Sequence, residues 1–288
     1  LLADMPKTFA HFHPLGMVVV VLLGAGFAEK VGLFEAALAR AMRGIPPGLL
    51  IPATVVIGIC AHVGVDAAYF VYVPLAGLAF RAAGRDPFVG ICAAFAGVSG
   101  GYGANLLITP TDAVLYGLTE AAARTLDPTA SVDLLANYFL MAAFAVVVTI
   151  VVTVVTRVWL EPRFARPTEP AAAIARDPVA ERALRRALVT MAVVLAGALF
   201  LALPDGAPLR DPDGGLKPFY NALVAVLFVT FFAGGLAFGI STGRIRSDVD
   251  ALRIVREGLG EVLPFIVLAF VAAHFAAFLD WSNLAKIV

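Results

Sequence analysis

Charge is scarce in this sequence. Charged residues fill 15 % of its 288 positions, against about 25 % in an ordinary soluble domain. The charge is also balanced, with 21 Lys+Arg and 21 Asp+Glu, so there is no basic field to hold nucleic acid through its phosphates. Cysteine is nearly missing. Cys60 and Cys92 both sit within apolar runs, which excludes a disulfide framework or a C-x-x-C metal site. No cluster has the spacing of a phosphate loop or a dinucleotide fold, and Gly24-Ala25-Gly26 fits helix packing better. What the sequence has instead is apolar surface: 61 % of residues are hydrophobic and the mean hydropathy is +0.92. Disorder is excluded by that content, and a soluble core does not grow fast enough with chain length to absorb it. The chain reads as a polytopic membrane protein.

A helix that crosses a bilayer needs about 20 mostly apolar residues. Residues 14–36, opened by Pro14, supply one such run, and 135–160, 187–204 and 217–240 supply others. The remaining apolar stretches are too short. Residues 48–61 and 67–80 flank the polar tip Ala61-His62-Val63-Gly64-Val65-Asp66, a pattern that predicts a re-entrant hairpin. Residues 87–98 and 106–118 flank Ser99-Gly100-Gly101-Tyr102-Gly103-Ala104-Asn105, whose glycines predict an unwound break in a membrane helix. Residues 248–260 read as a short amphipathic helix at the interface. Residues 261–279 read as an apolar arm running into a second polar tip, Asp280-Trp281-Ser282-Asn283. The expected fold class is all-α, polytopic, with re-entrant hairpins and broken transmembrane helices. Its parts are 1–47 (first spanning helix and connector), 48–126 (first hairpin and broken helix), 127–247 (scaffold helices with a cytoplasmic linker over 161–186) and 248–288 (interfacial helix and first arm of a second hairpin).

Arginine placement orients the chain. Arg157, Arg163, Arg166, Arg176, Arg182, Arg185 and Arg186 put the 157–186 segment in the cytoplasm. Arg244, Arg246, Arg253 and Arg256 put 241–257 on the same side, and Arg40, Arg43, Arg81 and Arg85 add the mouth of the first hairpin. The loops at 120–133 and 205–216 are mainly acidic and face outward. This count puts both hairpin mouths in the cytoplasm, whereas an inverted repeat needs them on opposite sides. The sequence leaves that conflict open.

Asp66 is the most informative residue. A carboxylate between Val65 and Ala67, deep in an apolar hairpin, costs about 2.5–3.5 kcal/mol on insertion scales, and such residues usually serve an ion or proton path. A structural reading stands beside it, as the N-cap of the second hairpin helix. His62, four residues earlier, is either a proton carrier or metal ligand, or a ring satisfied by a backbone carbonyl. In the Ser99–Asn105 break, freed carbonyls and the Asn105 side chain are oxygen ligands of the kind that hold sodium. The half-helix N-terminus beyond it, followed by Thr109, Thr111 and Asp112, suits an anionic substrate group; a packing kink at glycines is the structural alternative. Trp281 is either an interfacial anchor or a ring that stacks on an aromatic substrate.

Four stretches occur in order along the chain: His13-Pro14-Leu15-Gly16 with Gly24-Ala25-Gly26-Phe27-Ala28-Glu29-Lys30; Val65-Asp66-Ala67-Ala68-Tyr69 with Pro74-Leu75; Ala94-Phe95-Ala96-Gly97-Val98-Ser99-Gly100-Gly101 with Ala104-Asn105-Leu106; and Trp281-Ser282-Asn283-Leu284. Together they resemble the AbgT family, the bacterial p-aminobenzoyl-glutamate transporters, some of which export sulfonamide-type antimetabolites. The resemblance implies an ion-transporter fold with two re-entrant hairpins, an inner domain that holds a homodimer together, and secondary transport across the bacterial inner membrane. The chain, opening at Leu1 and stopping at Ile287-Val288 inside an apolar stretch, then reads as a fragment of a longer transporter.

By the same resemblance, Ser99, Gly100, Gly101, Asn105, Trp281, Ser282 and Asn283 are expected to bind substrate. Asp66, His62, Asn105, Asp112 and Asn283 are expected to couple the ion, which is a proton or a sodium ion near Asn105 and Asn283. No further cofactor and no nucleic-acid partner is expected; the partners are the lipid bilayer and a small anionic aromatic substrate. The chain departs from the family where Ala61-His62 replaces Ser-Asn, Val65 and Gly103 replace Ser, and Asp280 replaces Asn. Each change alters an oxygen ligand, and His62 beside Asp66 suits a proton better. The expected function is import of p-aminobenzoyl-glutamate-like aromatic carboxylates, or export of sulfonamide-type antimetabolites. The alternatives are transport of other organic anions such as dicarboxylates, a passive channel, and an intramembrane enzyme using His62 and Asp66, for which no oxyanion donor set can be assigned.

Overall fold

Proline behind a small polar residue sets several helix starts. Asp86 precedes Pro87 and accepts from the Phe88 amide at 2.9 Å. Asp177 precedes Pro178 and accepts from the amides of Val179 and Ala180 at 2.8 and 3.2 Å. Thr109 precedes Pro110 and forms a capping box with Asp112. A proline at the first helical position gives up no bond, and the cap oxygen satisfies amides that the first turn leaves free.

The computed structural model describes residues 3–64, 68–127, 129–130, 132–164, 176–211 and 215–282. In chain order the helices are α1 (Met5–Ala10), α2 (His13–Lys30), α3 (Leu33–Ala41), α4 (Leu50–Ala61), α5 (Val73–Ala82), α6 (Pro87–Gly100), α7 (Pro110–Leu126), α8 (Tyr138–Val155), α9 (Glu161–Phe164), α10 (Pro178–Phe200), α11 (Lys217–Thr242) and α12 (Asp248–Ser282). Short 3₁₀ turns lie at Pro47–Leu49 and His62–Gly64, and π turns at Ala68–Tyr72 and Thr156–Leu160. No strand occurs among the described residues. Four helical stretches are long and apolar enough to cross a membrane: Tyr138–Phe164, Pro178–Phe200, Pro218–Thr242 and Val262–Leu279. The fold is an all-α polytopic membrane fold, as the composition and the lengths of the apolar runs predict.

Two expectations are changed by the structure. The first run, 14–36, is not one straight span. α2 stops at Lys30, Gly32 turns the chain with a φ of +83°, and α3 leaves at 66° to the preceding helix. Arg244, from beyond the end of α11, donates to the buried Val31 carbonyl at 2.9 Å and so holds the kink. The second change is in α12. The interfacial helix over 248–260 and the apolar arm over 261–279 form one helix of 35 residues, with Pro264 inside it. At 1.5 Å per residue it is about 52 Å long, well beyond the roughly 30 Å of a hydrocarbon core. Pro264 removes one backbone bond, and the helix is carried through by packing on α2. Gly258 meets the backbone of Gly26, where an added β-carbon would stand 3.2 Å from a carbonyl carbon. Phe265 and Ala269 pack with Val18, and Phe270 meets Phe9 of α1. The helix therefore runs antiparallel to α2 from one of its ends past the other. Its apolar part, Val262–Leu279, is long and apolar enough to cross a membrane.

The hairpin is present as two short apolar helices, α4 and α5, packed against the equally short α6 in one core that includes Leu50, Ile51, Tyr72, Phe80, Val89 and Val98. A second core joins α2, α3, α10, α11 and α12 through Phe27, Leu33, Leu184, Phe231 and Ile254. The basic segments share one face. Arg85 bridges Glu161 of α9 (Nε to Oε1, 2.9 Å) and the Pro47 carbonyl (3.2 Å) at the hairpin mouth. Arg43 pairs with Glu181 of α10, and Arg186 reaches Ser241 of α11 at 3.4 Å. The mainly acidic segments also meet, since Thr129, Val132 and Asp133 line one cavity with Gly215 and Leu216. The two faces given by the charge count are thus the two faces of the fold.

Candidate functional site

The approach of α4 to α6 is set by glycine. A β-carbon on Gly97 would stand 2.7 Å from the Val55 carbonyl oxygen, and one on Gly58 would stand 3.1 Å from that of Ala94. The same contact continues past the end of α6. At Gly101 a β-carbon would meet the Ile59 carbonyl oxygen at 2.8 Å and the His62 β-carbon at 3.0 Å. Small residues let two membrane helices touch backbone to backbone, and here that contact presses the end of α4 onto the start of an unwound segment.

That segment runs from Gly101 to Thr109, between α6 and α7. Asn105, almost wholly buried, folds it. Its Oδ1 accepts from the Leu107 amide at 3.0 Å and its Nδ2 donates to the Gly101 carbonyl at 3.4 Å. The expected oxygen ligand is therefore engaged in closing the loop, with one lone pair of Oδ1 left over.

His62 is the centre of the site. Its residue is 1 % exposed. Nε2 lies 3.2 Å from the Thr111 hydroxyl, and the Tyr102 ring covers the imidazole at a centroid distance of 3.9 Å. Nδ1 is buried without a hydrogen-bond partner among the described residues. An imidazole in that position has one nitrogen tied and one available, which is the arrangement a proton carrier needs. Asp112 also acts on it electrostatically. This carboxylate is buried and accepts from the Thr109 amide at 2.6 Å and the Thr109 hydroxyl at 2.8 Å. The positive end of α7, expected to receive a substrate anion, is thus already met by the chain's own carboxylate.

The other expected site residues are dispersed. Ser99 is exposed and bonds to the Tyr69 hydroxyl at 3.2 Å. Gly100 faces α8, where a β-carbon would stand 2.8 Å from Val148. Of the four residues quoted for the break, Gly101 is the one that meets His62, and Asn105 bonds to the Gly101 carbonyl. Trp281 is 76 % exposed in the last turn of α12, away from the buried cluster, and the Ser282 hydroxyl donates to the Leu279 carbonyl at 3.1 Å. Asp66 and Asn283 lie outside the described residues. Tyr102 belongs to the site although it was assigned no role, its signal being an aromatic ring among three glycines; Thr111, read only as part of the anion-facing helix start, is there as a partner of His62. Among the described residues no group of three or more His, Cys, Asp or Glu side chains could hold a metal ion.

Comparison with known proteins agrees with this architecture. The p-aminobenzoyl-glutamate transport protein of Escherichia coli (strain K12) is 33 % identical over 294 residues, covering 100 % of this chain and 58 % of that protein. Among solved structures, the YdaH transporter of Alcanivorax borkumensis, whose crystal structure has an unusual topology, matches with a TM-score of 0.92 and 37 % identity over 100 % of this chain and 61 % of that one. MtrF of Neisseria gonorrhoeae, of a class of antimetabolite efflux pumps, matches with a TM-score of 0.89 and 31 % identity over 99 % of this chain and 59 % of that one. The chain therefore spans a little under two thirds of the length of these relatives. The model of the AbgT transporter family matches residues 1–288, and the chain belongs to that family.

Proposed function

We propose that the protein is a secondary active transporter of p-aminobenzoyl-glutamate-like aromatic carboxylates in the bacterial inner membrane, importing them or exporting sulfonamide-type antimetabolites, with a proton as the coupling ion. The observation that carries the reading is the buried polar cluster of His62, Thr111 and Asp112, placed where one apolar helix ends and another is broken. Polar groups at that depth cost too much to serve packing alone, and a broken helix beside a hairpin is how membrane transporters build a site between two moving halves. The half-exposed Tyr102 ring, lying over His62, offers a surface for the benzoyl ring, with Trp281 as a second such surface. Asp66 belongs to the same reading as the partner of His62, and a homodimer supplies the frame against which the hairpin half moves.

The test is uptake of labelled p-aminobenzoyl-glutamate by proteoliposomes holding the protein, with proton and sodium gradients imposed separately. Accumulation under the proton gradient alone is expected, and Asp66→Asn should abolish it while leaving binding intact. Accumulation under sodium alone would remove the proton, and none under either would remove this substrate class. Transport direction follows from repeating the assay with the gradients inverted.

A further inference from the structure

Asp112, Tyr116, Glu120 and Arg124 recur at intervals of four along α7, so they form one stripe on that helix, each about 6 Å from the next. The stripe is not on a solvated face. Glu120 is 3 % exposed and Asp112 is 9 % exposed, and the Tyr116 level of the helix packs in a cluster with Val21 of α2 and Leu223 of α11. Two buried carboxylates on one helix face carry a desolvation cost that alanine or leucine would avoid.

The two ends of the stripe lie in different places. At one end Thr111, the neighbour of Asp112, bonds to His62 at 3.2 Å, and Asp112 acts on His62 electrostatically. At the other end the stripe opens into a cavity of about 630 Å³, whose walls include Asp133 and Gly215 from the segments that the charge count places outside. A narrower lobe of about 250 Å³ continues inward past Tyr116, Glu120, Tyr220 and Asn221 to Met17 of α2. Within it, Arg124 donates to Glu120 Oε1 at 2.7 Å, and the Tyr116 hydroxyl hydrogen-bonds with Glu120. The titratable groups facing Glu120 are therefore Tyr116 and Arg124 from its own helix, Asp133 from the adjoining turn and Tyr220 from α11; α2 contributes the uncharged Met17. Between Tyr116 and Asp112 there is a gap of one helical turn. A water occupies about 30 Å³, so the narrow lobe has room for several, and it ends at Tyr116.

We propose that this stripe is the route by which the coupling proton passes between the outward-facing cavity and His62. Glu120 takes the proton from cavity water, Tyr116 accepts it while releasing its own toward Asp112, and the Asp112–His62 pair receives it. Arg124, half-exposed at the mouth, donates to Glu120 from the cavity side. The proposal rests on the reading of proton-coupled transport above and adds the path.

Two readouts separate its failure from the failure of that reading. The first compares counterflow, the exchange of substrate with no gradient imposed, with proton-driven accumulation. Glu120→Gln should keep counterflow within about twofold and slow driven accumulation by about 100-fold, the usual worth of a positioned proton carrier. Glu120→Asp should restore part of it, and Tyr116→Phe should lie between wild type and Glu120→Gln. Driven accumulation unchanged in Glu120→Gln would overturn the route while leaving the transporter standing. Loss of counterflow together with accumulation, unrelieved by Glu120→Asp, would make Glu120 a structural residue and also overturn the route. Wild-type protein without counterflow would overturn the transport reading itself. The second readout needs no substrate: a hydrophobic carbodiimide attacks a protonated carboxyl in an apolar setting. Labelling of Glu120 in wild-type protein, located by peptide mass, should rise as the pH falls from mildly alkaline to mildly acidic. A Glu120 that stays unlabelled throughout is a permanent carboxylate, and the route is then wrong.

Discussion

The chain interrupts its apolar helices at two well-described places, and it treats them differently. At the kink between α2 and α3, Gly32 takes a φ of +83° and the freed Val31 carbonyl is met by Arg244 at 2.9 Å. The kink sits on the basic face, the arginine meets its freed carbonyl, and the apolar packing of Leu33 and Phe34 resumes at once. At the break between α6 and α7, nine residues are unwound, from Gly101 to Thr109. There the freed groups are met by Asn105, Thr109 and Asp112, which are themselves buried. One interruption is satisfied from the surface with a single donor. The other brings polar side chains into the core and sets His62 among them. A helix break is therefore informative less for its length than for where its satisfying partners come from.

Substitutions at the two glycines should separate these roles, with the largest effect at the break. Gly101→Ala places a β-carbon 2.8 Å from a backbone oxygen and 3.0 Å from His62. Since backbone must shift, we expect a loss of about 1–3 kcal/mol. The displaced imidazole should slow proton-driven transport by about 100-fold. Thermal unfolding in detergent and gradient-driven uptake would measure the two parts, and intact uptake would show that His62 need not be held where it is. At the kink, Gly32→Ala costs about 1–2 kcal/mol for a left-handed alanine. The atom it meets is the far end of Arg244, at 2.5 Å, which can swing aside. Stability should therefore fall by a similar amount while uptake stays within about twofold of wild type. Removing the donor with Arg244→Leu should cost about 1–2 kcal/mol through the unpaired carbonyl, again with transport retained. If either kink variant lost transport ahead of stability, the kink would be a moving part and the contrast would fail.

Much of this was legible in the sequence, and for particular reasons. The spans at 135–160, 187–204 and 217–240 appear because length and apolarity alone decide them. The hairpin and the break appear because glycine clusters and short apolar arms have few other uses in a membrane. Three features were hidden. The kink at Gly32 depends on Arg244, more than 200 positions away, which no local pattern reveals. The continuity of α12 through Pro264 depends on its packing against α2, which overrides the break that proline and two glycines suggest. The family resemblance groups Ser99 and Gly100 with Gly101, yet successive positions on a helix point in different directions, so Ser99 faces Tyr69 and Gly100 faces α8. The stripe from Asp112 to Arg124 was readable at intervals of four, but its meaning depended on burial.

The smallest structural effect belongs to Gly103, and it sharpens the comparison most. By the family resemblance serine is the residue expected there, and glycine in its place lowers the number of oxygens in the break. Nothing lies within 4 Å of a β-carbon at this position, and Gly103 is exposed. Gly103→Ser should therefore change stability by no more than about 0.5 kcal/mol. Its hydroxyl would add an oxygen two residues before Asn105, whose own Oδ1 has one lone pair uncommitted. If the scarcity of oxygens is what turns the site from sodium to the proton, this variant should gain sodium-stimulated uptake while its proton-driven uptake is unchanged. If sodium dependence does not move, ion choice is not set by the oxygen count of the unwound segment. It would then lie with His62 itself, and His62→Asn, which restores the family's residue, becomes the substitution that must alter it.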